Sequence, residues 1–335
     1  MIQTNWWPQA EYGGIYRLLG QAVQVDKAKK RFSAELVDRG LDTGVRLEIR
    51  AGGPAINFTP SAKLLYLDKA ITLGGVDTDQ AVQVAGSGQP VRSVFAPLDL
   101  SPVVLMWDPV RHADFNTISD IGQTDTRVIY FQGATYMEYL TGTGILRKSQ
   151  IDAGYDGTPS RWVADRGANV QQGYLTNEVY AYEYELPAWK KKVAWALVSD
   201  SGYPVYPETL AVRPDRENEL APCLRMLVPI MQRSAADYLA DPVRTNDLIV
   251  SLVKDFGAFA YSRERGAYAV TAMRQNGLMG NGNNKSVGDM DATRVQRILD
   301  IVRPIFAVQQ QKVPETLVAS DLFTNDYLDP SIGAR

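Results

Sequence analysis

The sequence predicts a mixed α/β protein of two lobes followed by a helical tail. Three observations carry this. The chain has 335 residues, more than the roughly 250 to 300 at which a single hydrophobic core stops growing. Short apolar runs alternate with helical patterns in two separate series, as expected of strand–turn–helix units built on mostly parallel sheets with crossover helices. From residue 219 onward the apolar spacing becomes helical.

Taken in order, "VRLEIRAGGP" (45–54) reads as a strand ending in a glycine turn, and "ITLGGVDTDQAVQVAGSG" (71–88) as strand, turn, helix and glycine stop. "PVRSVFAPLDLSPVVLMWDP" (90–109) gives two extended segments whose prolines disfavour helix. The second series opens with "TRVIYFQGATYMEYLTGTG" (126–144), again strand, turn and helix. "GANVQQGYLTNEVYAYEYE" (167–185) is too polar for a buried strand and too aromatic for a plain solvated loop. "VAWALVSDSGYPVYPETLAVR" (193–213) supplies another extended pair.

In the tail, "NDLIVSLVKDFG" puts Leu248, Ile249, Leu252, Val253 and Phe256 on one face, with Asn246 as N-cap and Gly257 as stop. "TRVQRILDIVRPIF" repeats the stripe with Val295, Ile298, Leu299, Val302 and Ile305, and Pro304 is expected to end or kink it. "MGNGNNKSVGD" (279–289) is a turn-rich loop, too short and badly placed to cradle phosphate.

The net charge of -3 supplies no basic field for nucleic acid or anionic headgroups. No run approaches the roughly 18 apolar residues of a membrane span. Hydrophobic residues at 45% and charged residues at 22% mark an ordinary packed core. One cysteine, Cys223, and one histidine, His112, exclude an internal disulfide and a multi-Cys/His zinc site by counting. Cys223 is expected to be buried in a helix. "IQTNWWPQ" after Met1 has neither a positive n-region nor an apolar h-region, so it does not read as a signal peptide.

In open α/β sheets, ligands sit beyond the carboxyl ends of the strands. Five loops follow strands: 6–14, 52–59, 74–81, 131–136 and 171–178. They hold no lysine or arginine, but they contain Glu11, Asp77, Asp79 and Glu178 with Trp6, Trp7, Tyr12, Phe58, Phe131, Tyr136 and Tyr174. Aromatic walls with a few polar groups line small-molecule pockets, and this inventory favours a neutral or cationic ring over an inorganic anion. The competing reading of Asp77 and Asp79 is that they cap a helix start and answer its dipole. Glu11 and Glu178 are the candidates for paired-carboxylate chemistry, but a catalytic pair needs a defined separation. "G-x-S-x-G" is absent, and His112 follows "WDPVR" in an expected surface turn. No enzyme, cofactor or metal is therefore expected.

"WWPQAEYGGIY", "GGP", "TDQAVQVAGSGQPV", "LMWDP", "YDGTP", "QQGYLTNEVYAYE" and "DLFTNDYLD" together resemble, in order and spacing, landmarks of ABC-importer solute-binding proteins of the thiamine-pyrimidine-precursor, nitrate and taurine type. The resemblance runs from residue 5 to about 333. It implies a two-lobed type II periplasmic-binding-protein fold with two crossing segments and a central cleft that closes on ligand. Lobe I is then 1–110 plus 206–335 and lobe II 111–205, with crossings near 105–125 and 198–208.

The resemblance further implies ligand contacts from Trp7, Glu11, Tyr12, Asn57 and Gln80, and from Gln132, Tyr136, Tyr155, Asp156, Gln172, Asn177 and Glu178, with Tyr180, Tyr182 and Tyr184 packing on alternate sides of an extended segment. It implies an extracytoplasmic, monomeric receptor that delivers a small, aromatic, nitrogen-containing ligand such as a pyrimidine-like vitamin precursor to a membrane permease. A lipid anchor or secretion signal is implied but not carried by this sequence. The alternatives are a pyrimidine-precursor-synthase type of enzyme and a binder of a small organic anion. One stretch departs from the family: "QAVQVDKAKKRFSAELVDRGLDTGV" (21–45) is longer and more charged than the family's step there.

Overall fold

A computed structural model describes residues 1–334. They form two compact units, residues 1–100 together with the chain from Val205 onward, and residues 101–204.

The first unit opens with β1 (Ile2–Gln3), a 3-10 turn at Ala10–Tyr12 and α1 (Gly13–Tyr16), followed by β2 (Gln24–Asp26), β3 (Arg31–Asp38) and β4 (Leu41–Arg50). It continues through α2 (Ser61–Leu67), β5 (Leu73–Val76), α3 (Thr78–Ala85) and β6 (Arg92–Phe95). The second unit supplies β7 (Val103–Trp107), α4 (Ile118–Gly122), β8 (Val128–Ile129), α5 (Thr135–Gly142), β9 (Ile151–Asp152), α6 (Ser160–Ala164), β10 (Val170–Tyr174), α7 (Glu178–Tyr180) and β11 (Ala194–Leu197). The chain then returns with β12 (Thr209–Val212), α8 (Pro214–Ala240), α9 (Val243–Phe256), α10 (Arg263–Gln275), α11 (Ala292–Val308) and α12 (Ala319–Leu322).

Among the described residues, the first unit's sheet runs β2-β3-β4-β1-β5-β12-β6 and the second unit's β11-β7-β10-β8-β9. β1 lies parallel to β4 and β5, and β8, β9 and β10 are mutually parallel, as the strand–turn–helix units require. The other strands make both sheets mixed. β12 runs antiparallel between β5 and β6, and β7 antiparallel between β10 and β11. This places residues 101–110, expected in the first lobe, in the second unit: β7 is an inner strand of its sheet.

The charged stretch at 21–45 is a meander. β3 alternates buried Phe32, Ala34 and Leu36 with the more exposed Arg31, Ser33 and Glu35, the period of a half-buried strand. Its two-residue link to β4, Arg39 and Gly40, has positive φ at both positions (51° and 79°), the turn geometry that matches hairpin twist. The helical tail keeps its apolar stripes with shifts in register. α9 begins at Val243, not at Asn246, which is buried and accepts the Tyr238 hydroxyl at 2.8 Å. Gly257 stops it with φ 63°. α11 runs through Pro304 to Val308, burying Phe306 while Ile305 is half-buried. Cys223 is exposed, because the helical period of α8 turns Leu224, Val228, Met231 and Ala235 inward instead.

Segment 167–185 differs most from its sequence reading. Val170–Tyr174 is a strand buried over its first four residues. It tolerates glutamines because their amides are bonded: the Gln171 amide nitrogen donates to the Tyr182 hydroxyl at 2.8 Å. The tyrosines that follow are helical, not extended. Tyr180 and Tyr184 stack at 4.8 Å, four residues apart, while Tyr182 is buried.

Candidate functional site

Each unit presents polar and aromatic side chains at the carboxyl ends of its parallel strands. In the first unit, Asn5 follows β1 and Asp77 follows β5. β12 runs the other way with Thr209 opposite Val76, so Glu208 lies beside Asp77 at the same end of the sheet. The Glu208 backbone N–H donates to Asp77 Oδ1 at 2.8 Å. Asp77 therefore does not cap α3 with its side chain, as the competing reading held; its carboxylate holds the start of β12. Asp79, in the first turn of α3, accepts the N–H of Gln80 at 2.8 Å.

Tyr12, fully buried, donates to Asn5 Oδ1 at 3.0 Å and accepts the Asn5 N–H at 3.3 Å. Gly75 on β5 makes room for it, since a Cβ there would run into the Tyr12 hydroxyl. α1 reaches α8 on the same logic: a Cβ at Gly13 would strike the Tyr238 ring.

Carboxyl groups crowd this edge. Burial and the charge of Asp79 push Asp77 up to about 7, with the N–H of Glu208 opposing. Burial, then Glu11, then Asp77 raise Glu208 well above the usual carboxylate range. Burial, reinforced by Glu208, raises the Tyr12 phenol likewise. Glu208 is 1% exposed, its φ is +56°, and its Oε2 has no hydrogen-bond partner. A non-glycine residue in the left-handed region, bearing an unpaired buried polar atom, is the kind of strain that collects at functional sites.

In the second unit, the Gln172 side-chain oxygen accepts the Phe131 N–H at 3.0 Å and the Tyr136 hydroxyl at 2.6 Å. Phe131 packs on Tyr155 with ring centroids 4.7 Å apart. The Glu178 carboxylate accepts the Tyr174 N–H at 2.7 Å and the Asn177 side-chain amide at 3.1 Å, tying down the turn after β10.

Among the residues expected from sequence, Glu11 and Tyr12 meet at the first unit's edge, and Tyr136, Tyr155 and Gln172 are buried with Asn177 and Glu178 close by at the second's. Trp7 is half-buried, its ring 6.3 Å from that of Phe256. Asn57, Gln80, Gln132 and Asp156 are exposed. Asn57 closes a 3-10 turn in the left-handed region, and Asp156 accepts the Thr158 N–H and hydroxyl at 2.9 and 2.7 Å. Asn5, Tyr16 and Glu208 were not expected. Glu208 sits in "YPVYPETL", where proline and tyrosine signal only an extended segment.

Of the basic residues outside the five loops, Arg92 pairs with Glu217 at 3.1 Å, Arg161 with Asp152 at 3.0 Å, and Lys148 is exposed. Among the described residues, no group of three or more His, Cys, Asp or Glu is arranged to hold a metal ion, and no helix is long and apolar enough to cross a membrane.

No family model matches the sequence, and no curated protein matches it. Solved structures do. The ligand-binding component of an ABC-type import system from Staphylococcus aureus, with zinc bound, is 11% identical over 97% of this chain and 97% of that one, with a TM-score of 0.58. The periplasmic nitrate-binding protein of Synechocystis is 10% identical over 97% and 86%, at 0.54. The periplasmic aliphatic sulphonate-binding protein of Escherichia coli is 12% identical over 81% and 80%, at 0.53. The chain has the α/β periplasmic-binding-protein fold of these ABC-type solute-binding components.

Proposed function

We propose that the protein is the solute-binding receptor of an ABC importer and not an enzyme: it captures a small organic molecule outside the cytoplasm and hands it to permease subunits. The observation that carries this is the pairing of the fold with two strand-end edges lined by aromatic and polar side chains. The single cysteine and single histidine lie outside these edges: Cys223 is exposed on α8, and His112 stacks on Phe115 at 4.8 Å in a loop of the second unit. In this reading the protein works as a monomer, and a lipid anchor or secretion segment accounts for its place outside the cytoplasm.

The ligand in this reading is an aromatic nitrogen compound of pyrimidine-like size. Stacking surfaces such as Phe131 and Tyr155 suit a flat ring, and the first unit's carboxyl-rich edge suits a basic nitrogen. Native mass spectrometry of the protein as purified, followed by thermal-shift screening of heterocycles, amines and organic acids, tests it. A true ligand at a hundred times its dissociation constant stabilises by about 2.7 kcal/mol and is recovered chemically unchanged. The absence of any such ligand, or its conversion to product, rejects the reading.

A second reading, a small organic anion as ligand, is favoured by the nitrate and sulphonate named for two of the similar structures. Selective stabilisation by sulphonates in the same screen decides for it.

A further inference from the structure

Glu208 immediately precedes β12 in the first unit. It is almost fully buried, yet its Oε2 meets no donor. Burying a carboxyl group without a partner is costly, and such groups are normally found paired or hydrogen-bonded.

Gln9 Oε1, two residues before Glu11, is likewise buried without a partner, and the Tyr16 phenol, whose ionisation is disfavoured by burial and then by Glu208 and Glu11, lies close to Glu208. An amide oxygen and a carboxylate oxygen both accept, and a hydroxyl can accept. The Gln9 amide oxygen and an ionised Glu208 can only accept, so the partner that suits these two is a donor.

Carrying the receptor reading forward, we infer that Glu208 is the residue that selects the ligand's charge, its carboxylate pairing with a protonated nitrogen of an amine, amidine or aminopyrimidine. Placement supports this. Glu208 stands at the carboxyl end of β5, where its backbone is pinned to Asp77 at 2.8 Å, and the carboxyl ends of strands are where ligands of open α/β sheets bind. Charge supports it too. The titratable groups bearing on Glu208 are Glu11 from the 3-10 turn and Asp77 from the β5–α3 junction, with the Tyr12 and Tyr16 phenols beside them. A cation offsets the mutual repulsion of these acids, whereas an anion adds to it. Burial first, and then Glu11 and Asp77, hold the Glu208 carboxyl above the ordinary glutamate range. Cation capture therefore displaces a proton, and affinity rises with pH.

The test is isothermal titration calorimetry of the whole protein with benzamidine and 4-aminopyridine as cationic probes and benzoate and benzenesulfonate as anionic ones, at pH 5 to 8. It is run for wild type and Glu208→Gln, after any co-purified ligand has been removed. The expected result is cation binding that strengthens with pH in the wild type and weakens at least tenfold in Glu208→Gln, with a shallower pH dependence there because Asp77 still titrates near 7. Should that variant fold poorly, wild-type titrations in two buffers of different ionisation enthalpy report the released proton directly. Unchanged cation affinity in Glu208→Gln, no proton release, or a preference for the anions overturns the role of Glu208 and leaves the receptor reading standing. If no probe binds and no molecule co-purifies, the receptor reading itself fails, and the inference with it.

Discussion

The strand-end edges of the two units use similar residues and leave different ones unpaired. In the second unit the glutamate is fully engaged: Glu178 accepts from Tyr174 and Asn177, and the polar atoms left over, the Tyr155 hydroxyl and the Gln171 oxygen, are neutral. In the first unit the glutamate is the group left over, and three further carboxyl side chains, Glu11, Asp77 and Asp79, belong to the same edge. One edge is held by hydrogen bonds that converge on Gln172 and Glu178; the other crowds carboxyl groups together. In the receptor reading proposed above, shape and charge recognition are divided between separate parts of the chain, and substitutions at matching chemistry should have opposite effects.

The largest effect is expected at Gln172. Gln172→Ala leaves the Phe131 N–H and Tyr136 hydroxyl without their acceptor and opens a small cavity. Together these cost about 3 kcal/mol, read as a lower urea midpoint; a loss under about 1 kcal/mol means the network does not hold the second edge. Next comes Glu178→Gln, which puts an amide where a carboxylate accepts two donors and loses about 2 kcal/mol.

The same exchange at Glu208 should go the other way. A carboxyl whose folded-state pKa is raised gives stability that is fully present below the unfolded value near 4.5 and is lost as pH rises through the folded one. Glu208→Gln therefore melts close to wild type near pH 4 and is more stable by about 1 kcal/mol at pH 8. Equal destabilisation at both pH values dissolves the contrast between the edges. The smallest effect belongs to Cys223→Ser, outside both edges on the exposed face of α8, which should shift stability by less than about 0.5 kcal/mol.

The elements that sequence made legible are those where one period dominates. The runs at 71–88 and 126–144 fold as strand, turn and helix, with β5, α3, β8 and α5 in the expected places. The stripe of α9 appears with its glycine stop. The meander at 24–50 was hidden by its charges, although Phe32, Ala34 and Leu36 alternate in the sequence as they do in the strand. β10 was hidden for a different reason. Glutamine counts as polar in any pattern, and only tertiary partners such as Tyr136 and Tyr182 make its burial affordable.

Sequence pointed to strand-end positions where a side chain follows a strand in the same unit of sequence, as with Glu11, Tyr12 and Tyr136, which the fold does place near strand ends. Glu208 escaped because it precedes its strand. β12 runs against its neighbours, so the residue at the carboxyl end of β5 is the one before β12 and not the one after it. A reading that assumes parallel strands looks past it.

The position of β12 also bears on how the molecule is made. β6 pairs with β12 and is bridged to Phe323, so among the described residues its sheet partners all lie downstream of residue 205. During synthesis β5 and β6 wait beside an empty lane until the chain has passed residue 212. The interior 101–204 stretch, by contrast, contains every strand of its own sheet. The middle of this polypeptide is thus set to gain its tertiary order before its beginning does, and a ribosome that stalls near residue 200 leaves behind a folded centre attached to a sticky, half-built N-terminal sheet.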